Sequence, residues 1–174
     1  MRRVPAGIEL RQATPADVDI VIDLVEGGIA GYREWAPDWT PPPVSPEMRE
    51  RLDPLFSDDG RAWILLALRG EDLVGVASMS TVTGADQRKP PEGTVYLWQM
   101  FVRRDQQGSG LAGALLDRLC DEARTRGYDR FILWAAEGAT QARRFYEREG
   151  FTLTGETQNE LDFGLPLVQY GRQI

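Results

Sequence analysis

Apolar positions along the chain recur at two spacings, near 3.6 and near 2 residues, and the changes of period mark out its elements. Residues 8–13 read as a strand. Thr14-Pro15-Ala16-Asp17 then supplies a cap, a proline at the first helical position and an acid three residues after the cap. A helix follows to about Glu26, with Val18, Val21, Ile22, Leu24 and Val25 on one side, and Gly27-Gly28 weakens its continuation. Five prolines within residues 36–46 make a stiff loop, after which Ser45-Pro46-Glu47 opens a second short helix that Pro54 ends or kinks. Residues 63–68 and 73–80 are strands joined at Arg69-Gly70-Glu71-Asp72, a length and composition suited to a hairpin. Residues 94–102 form a third long strand, rich in aromatic and β-branched side chains.

The clearest amphipathic helix covers residues 109–126. Leu111, Ala112, Leu115, Leu116, Leu119, Cys120 and Ala123 fall on one stripe, and Asp117, Arg118, Asp121 and Arg124 lie elsewhere around the wheel. Cys120 is thereby assigned to the core. Residues 131–136 are a buried strand, 140–149 a helix ended by Gly150, and 151–155 a further strand. The pattern predicts an α/β (α+β) fold in one domain over residues 1–174. Its mixed sheet, flanked by helices, has antiparallel N-terminal strands and a central parallel pair formed by 94–102 and 129–136.

Composition narrows the function. The sequence has no His and one Cys, so no transition-metal site is expected, and a net charge of -7 disfavours nucleic acid and anionic membranes as partners. No apolar run reaches the length of a membrane span and the first residues do not read as a secretory signal, so the expected location is cytoplasmic. A small-molecule partner fits better. The oligomeric state is left open, a homodimer included.

Candidate chemistry centres on Gln106-Gln107-Gly108-Ser109-Gly110-Leu111-Ala112-Gly113, between a strand and the amphipathic helix. Unpaired N–H groups and the positive end of the helix dipole meet there, and glycines allow close approach of a pyrophosphate. Gly108, Gly110 and Gly113 also satisfy G-x-G-x-x-G, the dinucleotide-binding pattern of an oxidoreductase. Against that alternative, Arg103 to Gln107 separate the strand from the first glycine, and the upstream strands pair as hairpins.

The spacing Gln107-x-x-Gly110-x-Ala112 resembles the pyrophosphate loop of the GNAT superfamily of acyl-CoA N-acyltransferases. The segment Ala139-Thr140-Gln141-Ala142-Arg143-Arg144-Phe145-Tyr146-Glu147 with Gly150-Phe151 resembles a second motif of that family, with Ala139 where the family usually has an Asn that contacts the coenzyme. The resemblance covers residues 8–155. It implies an acetyl-CoA-dependent N-acetyltransferase, with acetyl-CoA as cosubstrate and direct attack by an amine in a ternary complex. It places the pantetheine arm along Met100, Phe101 and Val102, and the pyrophosphate on Gln107, Gly108, Ser109, Gly110, Leu111, Ala112 and Gly113. Tyr146 becomes the general acid, protonated at neutral pH. Arg103, Arg104, Arg143 and Arg144 flank these motifs and stay outside the site. A non-catalytic acyl-CoA-binding module is the other class the motifs allow.

Acidity is concentrated at the N-terminal end. Residues 9–60 carry a balance of -8, and the remainder is near neutral. The resemblance makes this segment a wall of the acceptor site, where Tyr32, Trp35 and Trp39 stand beside Glu34 and Asp38. A small cationic amine fits such a wall through charge and cation–π contact. With no histidine to act as base, Glu34, directly or through water, is the preferred group to take the amine's proton, with Asp38 second.

Overall fold

The computed structural model describes residues 1–41, 61–82, 89–159 and 164–174. In chain order it has β1 (Glu9–Gln12), α1 (Val18–Ala30), β2 (Ala62–Arg69), β3 (Asp72–Ser80), β4 (Thr94–Val102), α2 (Leu111–Thr125), β5 (Arg130–Ala136), α3 (Thr140–Arg148), β6 (Thr152–Asn159) and β7 (Pro166–Gln173). The helix expected at 46–54 and the end of the proline loop lie outside the described residues. No helix of the described residues is long and apolar enough to cross a membrane.

The strands form one seven-stranded sheet in the order β1-β2-β3-β4-β5-β7-β6. Every pair is antiparallel except β4 with β5, the expected parallel pair. A two-residue turn, Gly70-Glu71, closes the β2–β3 hairpin, with Gly70 at a φ of 61° that suits a residue without Cβ. Alternation along β2 sends Leu65 and Ala67 to one face and Ile64 and Leu66 to the other. The first face packs α2, whose Leu111, Leu115, Leu116, Leu119 and Ala123 are fully buried, together with Phe145 and Tyr146 of α3. Cys120 lies in this core, and burial raises its thiol pKa. The second face packs α1 through Val18 and Val21.

The start of α1 is fixed by a buried carboxylate. Asp17 accepts from the Thr14 N–H at 2.7 Å and its hydroxyl at 2.8 Å, and receives two guanidinium bonds from Arg11 at 2.7 and 2.9 Å. The Arg11 contact, strengthened by Thr14, holds the Asp17 pKa well below the carboxylate range.

Two elements differ from the sequence expectation. Helix α1 runs through Gly27-Gly28 to Ala30 and continues as a 3₁₀ turn over Gly31–Glu34. A Cβ at Gly28 would lie 2.4 Å from the Phe101 ring, so this glycine permits helix and strand to touch instead of ending the helix. Strand β7 was not anticipated, and it inserts between β5 and β6.

Candidate active site

The parallel pair closes only at one end. Thr94, Val95 and Tyr96 pair with Arg130, Phe131 and Ile132, and beyond Tyr96 no register joins β4 to β5. A bulge lies where they part: Ser78 pairs with Gln99 but Met79 with Leu97, leaving Trp98 as the extra residue of β4. The separating strands open a cleft of about 1480 Å³, lined by β4 from Tyr96 to Val102, the glycine loop, β5 from Trp134 to Ala136, α3 and the end of α1. Met100, Phe101 and Val102 all line it. They present a strand edge with no β5 partner, on which an extended chain of amides could pair.

The glycine loop sits at one end of this cleft. After a 3₁₀ turn over Arg104–Gln106, Gly108 and Gly110 adopt φ values of 79° and 87°, and Gly110 caps α2. Buried Gln106 anchors the turn by accepting from Arg69 at 2.7 Å, and the Ser109 hydroxyl turns back to the Gln106 carbonyl at 2.6 Å. The first backbone bond of the helix is Ala114 N–H to Gly110 O. No backbone acceptor among the described residues takes the N–H groups of Gly108, Gly110, Ala112 or Gly113. Together with the helix dipole they make a cradle fit for a phosphate. Gln107, Gly108, Gly110, Leu111, Ala112 and Gly113 line the cleft, while the exposed Ser109 does not line it and its hydroxyl secures the turn. Arg2, which sequence reasoning passed over, reaches this end and pairs with Glu149 at 2.8 Å beside Gly113. The hairpin-built sheet differs from the doubly wound parallel sheet that the dinucleotide-binding alternative requires.

Tyr146 faces the cleft from α3, half-buried against Phe145, Phe151 and Tyr170 with ring centroids 5.5, 5.7 and 6.3 Å away. Burial raises its phenol pKa above the ordinary value, and the nearby Tyr32 adds to the shift. The group therefore stays protonated across the range in which enzymes work. Beneath it, the fully buried Tyr170 hydroxyl accepts from Arg143 at 3.0 Å and donates to Glu147 at 2.8 Å, tying β7 to both flanks of Tyr146 on α3. Ala139, at the position of the usual Asn, is buried beneath the aromatic wall and has no polar side chain to offer a ligand.

The opposite wall comes from Gly31, Tyr32, Glu34 and Trp35, with Trp39 packed behind Tyr32 and not itself lining the cleft. Tyr32 lies 5.0 Å from Trp35 and 5.8 Å from Trp39, so the expected aromatic cluster forms. Trp35 packs over Gly138, where a Cβ would lie 2.3 Å from its ring. Glu34 lines the cleft but is exposed at its rim, where it accepts from Arg104 at 3.2 Å. Asp38 is exposed and does not line the cleft. Tyr96, Trp98 and Trp134 add aromatic surface from the sheet that local sequence patterns could not assign to this wall.

Residues 29–151 match the acetyltransferase (GNAT) family, a span that includes the cleft-lining part of β4, the glycine loop and α3. A mycothiol acetyltransferase of Thermobispora bispora is 31% identical over 150 residues, covering 86% of this chain and 48% of that protein. This chain thus spans about half that relative's length. Among solved structures, an N-acetyltransferase of Staphylococcus aureus superposes with a TM-score of 0.72 at 19% identity, over 95% of this chain and 98% of the other. The PaiA N-acetyltransferase of Thermoplasma acidophilum, solved in complex with coenzyme A, gives 0.65 at 13% identity over 96% and 99%. The superpositions establish a shared fold, and the family match adds the loop and the α3 segment on which the site is built. The chain belongs to the GNAT family of acetyltransferases.

Proposed function

We propose that this chain is a single-domain, acetyl-CoA-dependent N-acetyltransferase that acetylates a small cationic amine by direct attack. One observation carries the reading: the unpaired edge of β4 is continuous with the unpaired N–H groups of the glycine loop, and the protonated Tyr146 faces the same cleft. An extended pantetheine arm fits the first and a pyrophosphate the second. The backbone N–H groups of Met100 and Val102, which alternate away from β3, are placed to hold the thioester oxygen as it gains charge.

The amine enters from the side of Tyr32 and Trp35. Its nitrogen forms a bond to the thioester carbon and the carbon–sulfur bond breaks. Tyr146 gives its proton to the departing sulfur and recovers one from solvent. Glu34, through water, takes the proton that the nitrogen loses. The aromatic wall supports a cationic acceptor, since ammonium groups are held well by such faces. Acetylation of an amine panel, read by mass together with release of free thiol, tests this. Products from cationic amines support the reading, and thiol release without any acetylated amine contradicts it.

A further inference from the structure

Beyond the glycine loop the cleft ends in a corner between the first turns of α2 and the last turn of α3. On α3, Gln141, Phe145 and Arg148 follow one another at helical spacing and all line the cleft. Gln141 donates to Gln107 at 3.1 Å, which sets the start of this stripe over the loop. At the other end, Arg2 joins the two helices. Its Nη1 lies 2.8 Å from Glu149, just past α3, and 3.4 Å from Asp117 on α2, and its backbone N–H donates to the same Asp117. Gly113, one turn before Asp117, is buried beneath it, and a Cβ there would lie 2.6 Å from Nη1 and 3.0 Å from Cδ. This glycine lets the guanidinium rest against the first turn of α2, next to the last open N–H of the cradle.

Two features of the corner suit an anion. Both carboxylates make their closest contact with Nη1, and no hydrogen bond among the described residues engages Nε or Nη2 of Arg2, a side chain about half exposed in the cleft lining. Arg148 lines the same corner and has no ion pair among the described residues. The other cations of the lining are committed elsewhere, Arg103 to Asp105 at 2.7 and 2.8 Å and Arg104 to Glu34.

We propose that Arg2 and Arg148 hold the phosphate on the 3′ oxygen of the coenzyme's ribose, a role that rests on the acetyl-CoA reading above. That phosphate is one sugar away from the pyrophosphate, so with the pyrophosphate on residues 108–113 it reaches the corner beside Gly113. A guanidinium offers two parallel N–H donors that match a pair of phosphate oxygens. Asp117 and Glu149 fix the Arg2 fork before the ligand arrives, and Arg148 helps to offset their charge.

Calorimetry of the intact chain with coenzyme A and with 3′-dephospho-coenzyme A tests this without an acceptor amine. The parent should bind coenzyme A about ten-fold more tightly or better, the scale of one charge-assisted pair. Arg148→Gln, which breaks no ion pair among the described residues, should cut that preference to about three-fold, and Arg2→Gln combined with it to within about two-fold. Affinity for the dephospho form should stay within about two-fold throughout. Equal binding of the two coenzymes by the parent overturns the proposal and leaves the pyrophosphate cradle standing. Equal weakening of both by the variants also overturns it, assigning the arginines to the pyrophosphate or to holding α2 against α3. A parent that binds neither removes the coenzyme reading and this proposal with it.

Discussion

The two ends of the cleft are made from different parts of the chain. At the glycine loop the useful groups are backbone N–H donors, placed by one turn and one helix start, and the side chains mostly stay out of the way. At the facing wall the useful groups are side chains: Tyr32 and Trp35 from the N-terminal segment, Tyr96 and Trp98 from β4, and Trp134 from β5. A backbone site suits a ligand part that never varies, such as a pyrophosphate. A side-chain wall can change its acceptor by substitution without disturbing the coenzyme, so changes at each end should separate cleanly in kinetics.

The largest separation is expected between the ends, at Tyr146. Tyr146→Phe should lower kcat by about 10²-fold or more while leaving acetyl-CoA affinity unchanged, as measured by steady-state rates and calorimetry. Because its pKa is raised, the parent rate should show no loss from tyrosine ionisation below about pH 10. Gly110→Asp comes next, putting a carboxylate into the phosphate cradle. It should weaken acetyl-CoA by about 10²-fold, seen as loss of the coenzyme-induced thermal shift. Gly110→Ala separates charge from strain: a Cβ there meets open space, but the φ of 87° costs about 1–2 kcal/mol. On the opposite wall, Trp35→Ala should raise KM for the amine about ten-fold and leave KM for acetyl-CoA alone, which would show the ends to be independent.

Two smaller effects concern the helix that carries this wall. Asp17 has a depressed folded pKa, so its contribution is present above the unfolded value of about 4 and is lost as pH falls through the folded value. Asp17→Asn should lower unfolding free energy near neutral pH by about 1–2 kcal/mol, a figure reduced for the solvent exposure of Arg11, and flatten the acid limb of stability. Glu34→Gln should change stability by less than about 0.5 kcal/mol, since its pair with Arg104 is exposed, yet raise KM for a cationic amine or lower its rate a few-fold and shift the alkaline limb of the pH profile.

The same contrast explains what could be read from the sequence. The loop was legible because its meaning is local: glycines before a strongly periodic helix fix both the turn and the open donors. The place of Tyr146 on the last helix was legible through the motif around it, but its support by Tyr170, Arg143 and Glu147 was not, because β7 was missed. As an inner strand β7 buries consecutive residues Leu167 and Val168, which erases the alternation, and Gly171 weakens the strand signal where the Arg130 guanidinium packs against it. Gly28 was read as weakening the helix because the Phe101 ring that occupies its missing side chain lies on a strand more than seventy residues away. The bulge at Trp98 gave no sign at all, because a single extra strand residue leaves no pattern in the chain.

The most direct test is a crystal structure of the chain with coenzyme A bound. The account predicts the pyrophosphate on the N–H groups of residues 108–113, the pantetheine amides paired along the open edge of β4, and the thiol within hydrogen-bonding reach, about 3–3.5 Å, of the Tyr146 hydroxyl. Coenzyme bound away from the glycine loop, or a thiol directed away from Tyr146 and the aromatic wall, would contradict it.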